Sequence, residues 1–325
     1  MKRVSPRIPR AGSLGLALGL ALALAACVSP RQAAEQATVD RRLRVVTTFL
    51  PITLFTRAVA GDCASVTALI PPNTGPHDFQ AKPGDVIALR QAGVLVKNGL
   101  DMESFLAKLV ASADNKSLLV IDSSRGVATV SSPEGDHDPV HGDHARHGHA
   151  HGVVNPHIWL DPLRAVRQVE VIRDGLIKAD PRCAEAYKRN AAAYSAELRR
   201  LNSEIAAQLK PYRGKTFIAF HAVAPYFAQR YGLKADFLVD VPEMNPSPAD
   251  LQRVAAEVRQ TQLKALLSEP QEGQRSFNTL AEDLGVKISV FDPMETGSAP
   301  ASRDPATYFR VMRKNVSDLI QAFGG

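Results

Sequence analysis

The chain has 325 residues, 45% hydrophobic and 22% charged, which is enough apolar material for one or two domains with a large core. Its formal charge of +6 includes four basic residues near the start, Lys2, Arg3, Arg7 and Arg10; without them 35 basic residues face 33 acidic ones, a balance of +2. A balance this close to neutral gives no electrostatic case for nucleic acid as a partner, or for attraction to an anionic membrane surface.

The basic start runs into an apolar stretch, Ala11 to Ala26, whose one polar interruption is Ser13. This is short of the roughly 20 residues that a membrane helix needs, and it reads as an export signal covering residues 1–26. It closes on Leu24-Ala25-Ala26-Cys27, which resembles a bacterial lipobox and implies that Cys27 becomes the lipidated first residue of the mature chain. An ordinary export signal followed by an incidental cysteine is the alternative. The expected location is outside the cytoplasm, periplasmic or at the cell surface, with residues 27–42 as a tether. Two cysteines then remain, Cys63 and Cys183. Oxidising surroundings favour joining such a pair, although the sequence leaves two thiols equally open.

Leu43 to Phe49 reads as a strand and Ile52 to Ala60 as a helix after Pro51. Ser65–Ile70 is a second strand, leading into the turn-rich Pro71-Pro-Asn-Thr-Gly-Pro-His77. A helix over 83–91, a strand at 94–96, a helix over 104–111 and a strand at 118–122 follow. Strands alternating with helices predict a parallel sheet with helices on its faces. A polar loop over 134–154 then carries six histidines: His137, His141, His144, His147, His149 and His151. Beyond it His157 opens an apolar segment with the chain's one tryptophan, Trp159.

Residues 163–178 form a predicted helix. Pro181 then suits the first turn of a long one reaching Leu209, with Tyr187, Ala191, Tyr194, Leu198, Leu201 and Ile205 at helical spacing. The strand–helix alternation restarts with strands at 215–220, 236–240, 265–268 and 286–291, and ends on a helix over 305–323. The predicted organisation is a first α/β lobe over 43–180, a linking helix over 181–210 and a second α/β lobe over 211–325.

Three histidines lie outside the loop: His77, His157 and His221. His77 and His221 follow predicted strands, as does Asp292 before Pro293. Ligands of open parallel sheets bind beyond the carboxyl ends of the strands, so residues from two facing lobes would converge on one cleft. Three imidazoles and a carboxylate suit four-coordinate Zn²⁺, whereas manganese wants more oxygen. Position alone leaves two readings open, because a strand-end histidine also serves as a hydrogen-bonded structural residue and an aspartate before proline as a turn or cap.

The segments Pro76-His77-Asp78-Phe79, Asn155-Pro-His157-Ile-Trp-Leu-Asp161-Pro162, Ala219-Phe220-His221, Ser268-Glu269-Pro270-Gln271 and Phe291-Asp292-Pro293 resemble the successive motifs of the solute-binding proteins of zinc and manganese ABC importers. The likeness runs in order through residues 43–325. It implies two α/β lobes joined by a long rigid helix, and one metal in the cleft on His77, His157, His221 and Asp292. A histidine at position 221, where manganese members carry glutamate, implies the zinc type. The resemblance further implies a monomeric receptor, not an enzyme, that hands Zn²⁺ to an ABC permease. Glu269 reads as a strand-end cap rather than a partner of a ligand, and Glu243 receives no role.

The six-histidine string, interleaved with Asp136, Asp138 and Asp143, is a compositional signal for weaker, auxiliary zinc sites. A manganese receptor, an exported zinc hydrolase and a surface adhesin are the competing functions. No His-Glu-x-x-His helix supports the hydrolase.

Overall fold

The computed structural model describes residues 42–77, 79–131, 154–242, 244–270 and 275–324. The export signal, Cys27 and the six loop histidines lie outside these described residues. The first sheet contains β1 (Leu43–Thr47), β2 (Ala64–Ala68), β3 (Val94–Lys97) and β4 (Leu119–Asp122), ordered β2-β1-β3-β4 with every pair parallel. The second contains β5 (Thr216–His221), β6 (Lys234–Val239), β7 (Ala265–Ser268) and β8 (Lys287–Val290), in the equivalent order β6-β5-β7-β8 and again parallel. The expected two α/β lobes are therefore present.

The central strands explain themselves. A parallel strand covered on both faces is buried throughout and runs largely apolar. All six residues of β5, Thr-Phe-Ile-Ala-Phe-His, are buried. In the first lobe the sheet is covered by α1 (Leu50–Ala60), α2 (Pro83–Gln91), α3 (Leu106–Ala113) and α4 (Pro162–Ala179). Pro162 starts α4 in a position whose missing N–H costs nothing, and the Asp161 carboxylate accepts from Leu163 N to cap it.

The linking helix is α5, Ala184–Leu209, entered through a 3-10 turn at Pro181–Cys183. Its 26 residues span about 39 Å. The predicted stripe from Tyr187 to Ile205 is buried. It packs on α1 and α4, while the Tyr194 hydroxyl donates to Pro305 O at 3.0 Å and its ring lies 4.9 Å from that of Phe309. Phe309 belongs to α9 (Thr307–Ala322), in the second lobe, so the helix is seated on both halves. A disulfide between Cys63 and Cys183 fixes its start to the turn that follows α1.

The remaining helices, α6 (Pro225–Tyr231), α7 (Pro248–Thr261) and α8 (Arg275–Leu284), belong to the second lobe with α9. One hydrophobic core runs from the first lobe into the inner side of the second sheet, through Trp159, Leu160, Phe217, Phe291 and Met294. A second core, around Ile218, Phe220, Leu266 and Phe277, fills the other side of that sheet. The lobes meet along residues 155–161. Trp159 Nε1 donates to Pro293 O and the Tyr308 hydroxyl to Trp159 O, both at 2.7 Å. Arg230 of α6 grips the buried Asp161 carboxylate with two hydrogen bonds of 2.9 and 2.8 Å, and Arg164 reaches the same group. At Gly297 the second lobe comes so close that a Cβ would stand 2.8 Å from Leu50 Cδ2, and its N–H donates to Pro72 O at 2.6 Å.

Candidate metal centre

Four segments deliver one side chain each to the cleft. His77 ends the proline-rich loop after β2, a loop held to the second lobe through Pro72 and Gly297. His157 precedes the short 3-10 turn Ile158–Leu160 ahead of α4. His221 is the last residue of β5 itself rather than the first beyond it. The fourth is Glu295, in the loop after β8. One ligand atom from each of His77, His157, His221 and Glu295 lies within 4.8 Å of all the others.

Glu295, rather than the expected Asp292, is the carboxylate of this set. The Asp292 carboxylate turns back on its own loop, where Oδ1 accepts from Met294 N at 2.7 Å. Asn315 of α9 holds the same residue from behind, accepting from Asp292 N at 2.9 Å and donating to its carbonyl at 2.8 Å. Met294 follows with φ of 60°, a left-handed conformation uncommon outside glycine. Together these contacts shape the loop so that the side chain three residues later enters the cleft. Asp292 remains near enough to feel the other acids. Burial, followed by Glu269 and Glu295, pushes it up to about 6.

Glu295 Oε1 stands 3.3 Å from His77 Nε2, 2.9 Å from His157 Nε2 and 3.5 Å from His221 Nε2. A tetrahedral ion with bonds of about 2.0–2.1 Å has ligand atoms about 3.3–3.4 Å apart, so these separations bracket the edges of a zinc coordination shell. The side chains are shut away from water: His157 and His221 are 0% exposed and Glu295 is 1%. His221 Nε2 is buried without a hydrogen-bond partner, which is costly unless something else takes its lone pair or proton. The donor set, the spacing and this atom all fit a cation at the centre.

Burial and the two carboxylates set the charge state of the site. Burial lowers His157 to about 4, so its imidazole is neutral at physiological pH. Burial acts the same way on His221, but the Glu269 and Glu295 carboxylates overcome it and raise the group to about 10. Burial opposes ionisation of Glu295 too, yet His77 and His221 hold it well below the usual carboxylate range. Burial raises Glu269, with His221 pulling in the other direction.

Glu269, read from the sequence as a cap, is a partner of His221. Its Oε2 accepts from His221 Nδ1 at 2.7 Å and its Oε1 from His221 N at 3.0 Å. Parallel register accounts for this, because β7 lies beside β5 and ends next to it. The available signal was that both residues close neighbouring strands of one sheet. Glu295 was legible only as a second acid in Asp292-Pro-Met-Glu295, three residues beyond the aspartate that carried the expectation.

Two parallel-sheet lobes stapled along one segment, with three imidazoles and a carboxylate buried where the strands end, define a metal-type solute-binding protein. The chain belongs to the ZnuA family, described as zinc-uptake complex component A, periplasmic, whose match covers residues 45–322. It is 34% identical over 313 residues to the zinc-binding lipoprotein AdcA of Streptococcus pneumoniae, a match covering 95% of this chain and 60% of the relative. It is 29% identical over 296 residues to the high-affinity zinc uptake system protein ZnuA of Bacillus subtilis, covering 91% and 92% of the two chains. Among solved structures, the Zn(II)-bound ZnuA-like domain of S. pneumoniae AdcA matches with 32% identity and a TM-score of 0.70, covering 86% of this chain and 98% of that one.

Proposed function

We propose that this chain is an exported receptor that captures Zn²⁺ outside the cytoplasmic membrane on His77, His157, His221 and Glu295 and passes it to an ABC permease. The observation that carries the reading is the convergence of four ligand atoms, drawn from both lobes and three of them on buried residues, within 4.8 Å of one another. Zinc is the metal because three imidazoles and one carboxylate are a borderline-soft, four-coordinate set, and a manganese site would be richer in oxygen. The name of the Bacillus relative, a high-affinity zinc uptake protein, supports the same cargo. The pneumococcal relative is named a lipoprotein, which supports anchoring through Cys27. Among the described residues no helix is long and apolar enough to cross a membrane.

The histidines of 137–151 are proposed as auxiliary, weaker zinc sites. Deleting residues 134–151 is expected to remove only the weak class in a calorimetric titration. Loss of the tight event would contradict the proposed division.

Growth under zinc limitation tests the function. A strain lacking the gene is expected to grow under chelation only when zinc is added or when the wild-type chain is restored. Rescue by His157→Ala equal to wild type would overturn the receptor reading.

A further inference from the structure

Two of the three imidazoles are held by the same two-pronged clamp, built from different residues. At His221 the clamp is Glu269, which takes both the backbone N–H and the ring Nδ1 hydrogen. At His157 it is Asn155: its Oδ1 accepts from His157 N at 3.0 Å and from His157 Nδ1 at 2.9 Å. Asn155 does one thing that Glu269 does not. Its Nδ2 donates at 2.6 Å to Ala222 O, in the other lobe and directly after His221.

The orientation of this amide follows from its neighbours. The backbone N–H of His157 can only donate and the carbonyl of Ala222 can only accept, so oxygen faces His157 and nitrogen faces Ala222. His157 Nδ1 must then carry the hydrogen. The Nε2 lone pair is left facing the cleft, 2.9 Å from Glu295 Oε1, and two acceptors this close need a cation or a proton between them. The same residue is tied to the second lobe a second time, because the Tyr226 hydroxyl donates to Asn155 O at 2.6 Å. From the first lobe Asn98 Nδ2 donates to Pro156 O at 3.0 Å and so fixes the chain between Asn155 and His157. Asn155 is wholly buried.

We propose that Asn155 is the positioning residue that couples lobe closure to zinc binding. One buried amide selects the metal-ready tautomer of His157 and bonds that choice to the strand end carrying His221. Parting the lobes breaks the Asn155–Ala222 and Tyr226–Asn155 bonds together, and the imidazole loses its brace as the cleft opens. The inference rests on the reading of His157 and His221 as zinc ligands.

The test compares wild type, His157→Ala, Asn155→Ala and Asn155→Asp by chelator competition, by zinc release into excess chelator and by the absorption spectrum of the Co²⁺-loaded protein. Aspartate keeps an acceptor for both His157 donors and loses the donor to Ala222. Asn155→Ala is expected to weaken zinc binding about 10- to 100-fold and to shift the cobalt bands. Asn155→Asp is expected to keep the cobalt bands and release zinc faster than wild type. A lower melting temperature with unchanged affinity, release and spectrum in both variants marks a merely structural residue and overturns the proposal. If Asn155→Ala does not fold, Asn155→Asp decides alone: faster release supports the coupling and a wild-type rate overturns it. A wild-type chain that binds no zinc, or a His157→Ala variant that binds like wild type, would instead sink the zinc-site reading itself.

Discussion

Changing Glu269 to glutamine removes one charge and almost no volume, yet it disturbs the centre in a way that can be worked out atom by atom. The carboxylate serves two donors, His221 N at 3.0 Å and His221 Nδ1 at 2.7 Å. Whereas Asn155 turns a single oxygen to both of its donors, Glu269 meets each donor with a separate oxygen, and an amide held in that pose keeps only one oxygen. If the backbone N–H keeps it, the new NH₂ faces Nδ1, which must become an acceptor and move its hydrogen to Nε2, the atom facing Glu295. If the ring keeps the oxygen, a buried backbone N–H is orphaned. Losing such a partner of a ligand costs about 10- to 100-fold in metal affinity, about 1.4–2.7 kcal/mol. The same change removes one of the two carboxylates that raise His221 to about 10, so proton competition eases and affinity depends less steeply on pH. Competition with a chelator of known affinity, repeated across pH, reads both effects. Affinity within twofold of wild type together with an unchanged pH slope would refute the reasoning.

The pH dependence of the wild type follows from the same groups. With His221 raised to about 10, it is protonated between pH 7.5 and pH 5.5 in the metal-free protein, whereas His157, lowered to about 4, is neutral. Zinc must displace the His221 proton, so affinity is expected to fall about tenfold per unit of acidification across this window, and a flat titration would contradict the assignment. The Cys63–Cys183 bond closes a loop of 120 residues, for which chain entropy gives about 5 kcal/mol of stabilisation. The Cys63→Ser, Cys183→Ser double variant is expected to unfold at clearly lower denaturant while keeping its zinc affinity; equal midpoints would show that the bond contributes nothing.

Much of the fold was legible because periodicity and burial carry it. The stripe from Tyr187 to Ile205 marked the long helix, and apolar runs such as Phe217–Phe220 marked buried parallel strands. Two of the three isolated histidines were legible for a related reason: His77 and His221 follow or end strands, and strand ends are where such sheets bind. The carboxylates were harder, because their roles depend on side-chain direction within loops. Asp292 and Glu295 share a loop of the same composition. Only the bonds from Met294 N and Asn315 turn one acid back on the chain and send the other into the cleft. Glu269 stands 48 residues from His221, and sheet register alone makes them partners. Asn155 lay within a recognised motif, but its bond to Ala222 crosses between the lobes and leaves no trace in local sequence.

The central claim is that zinc sits on His77, His157, His221 and Glu295, and the most direct test sets the two acids of one loop against each other. Glu295→Gln and Asp292→Asn are near-isosteric, and asparagine at 292 keeps the oxygen that accepts from Met294 N. Zinc content and affinity are measured for both beside the wild type. The account predicts that Glu295→Gln loses the tight zinc while Asp292→Asn retains one ion per chain at close to wild-type affinity. Tight binding by Glu295→Gln with loss in Asp292→Asn would contradict it.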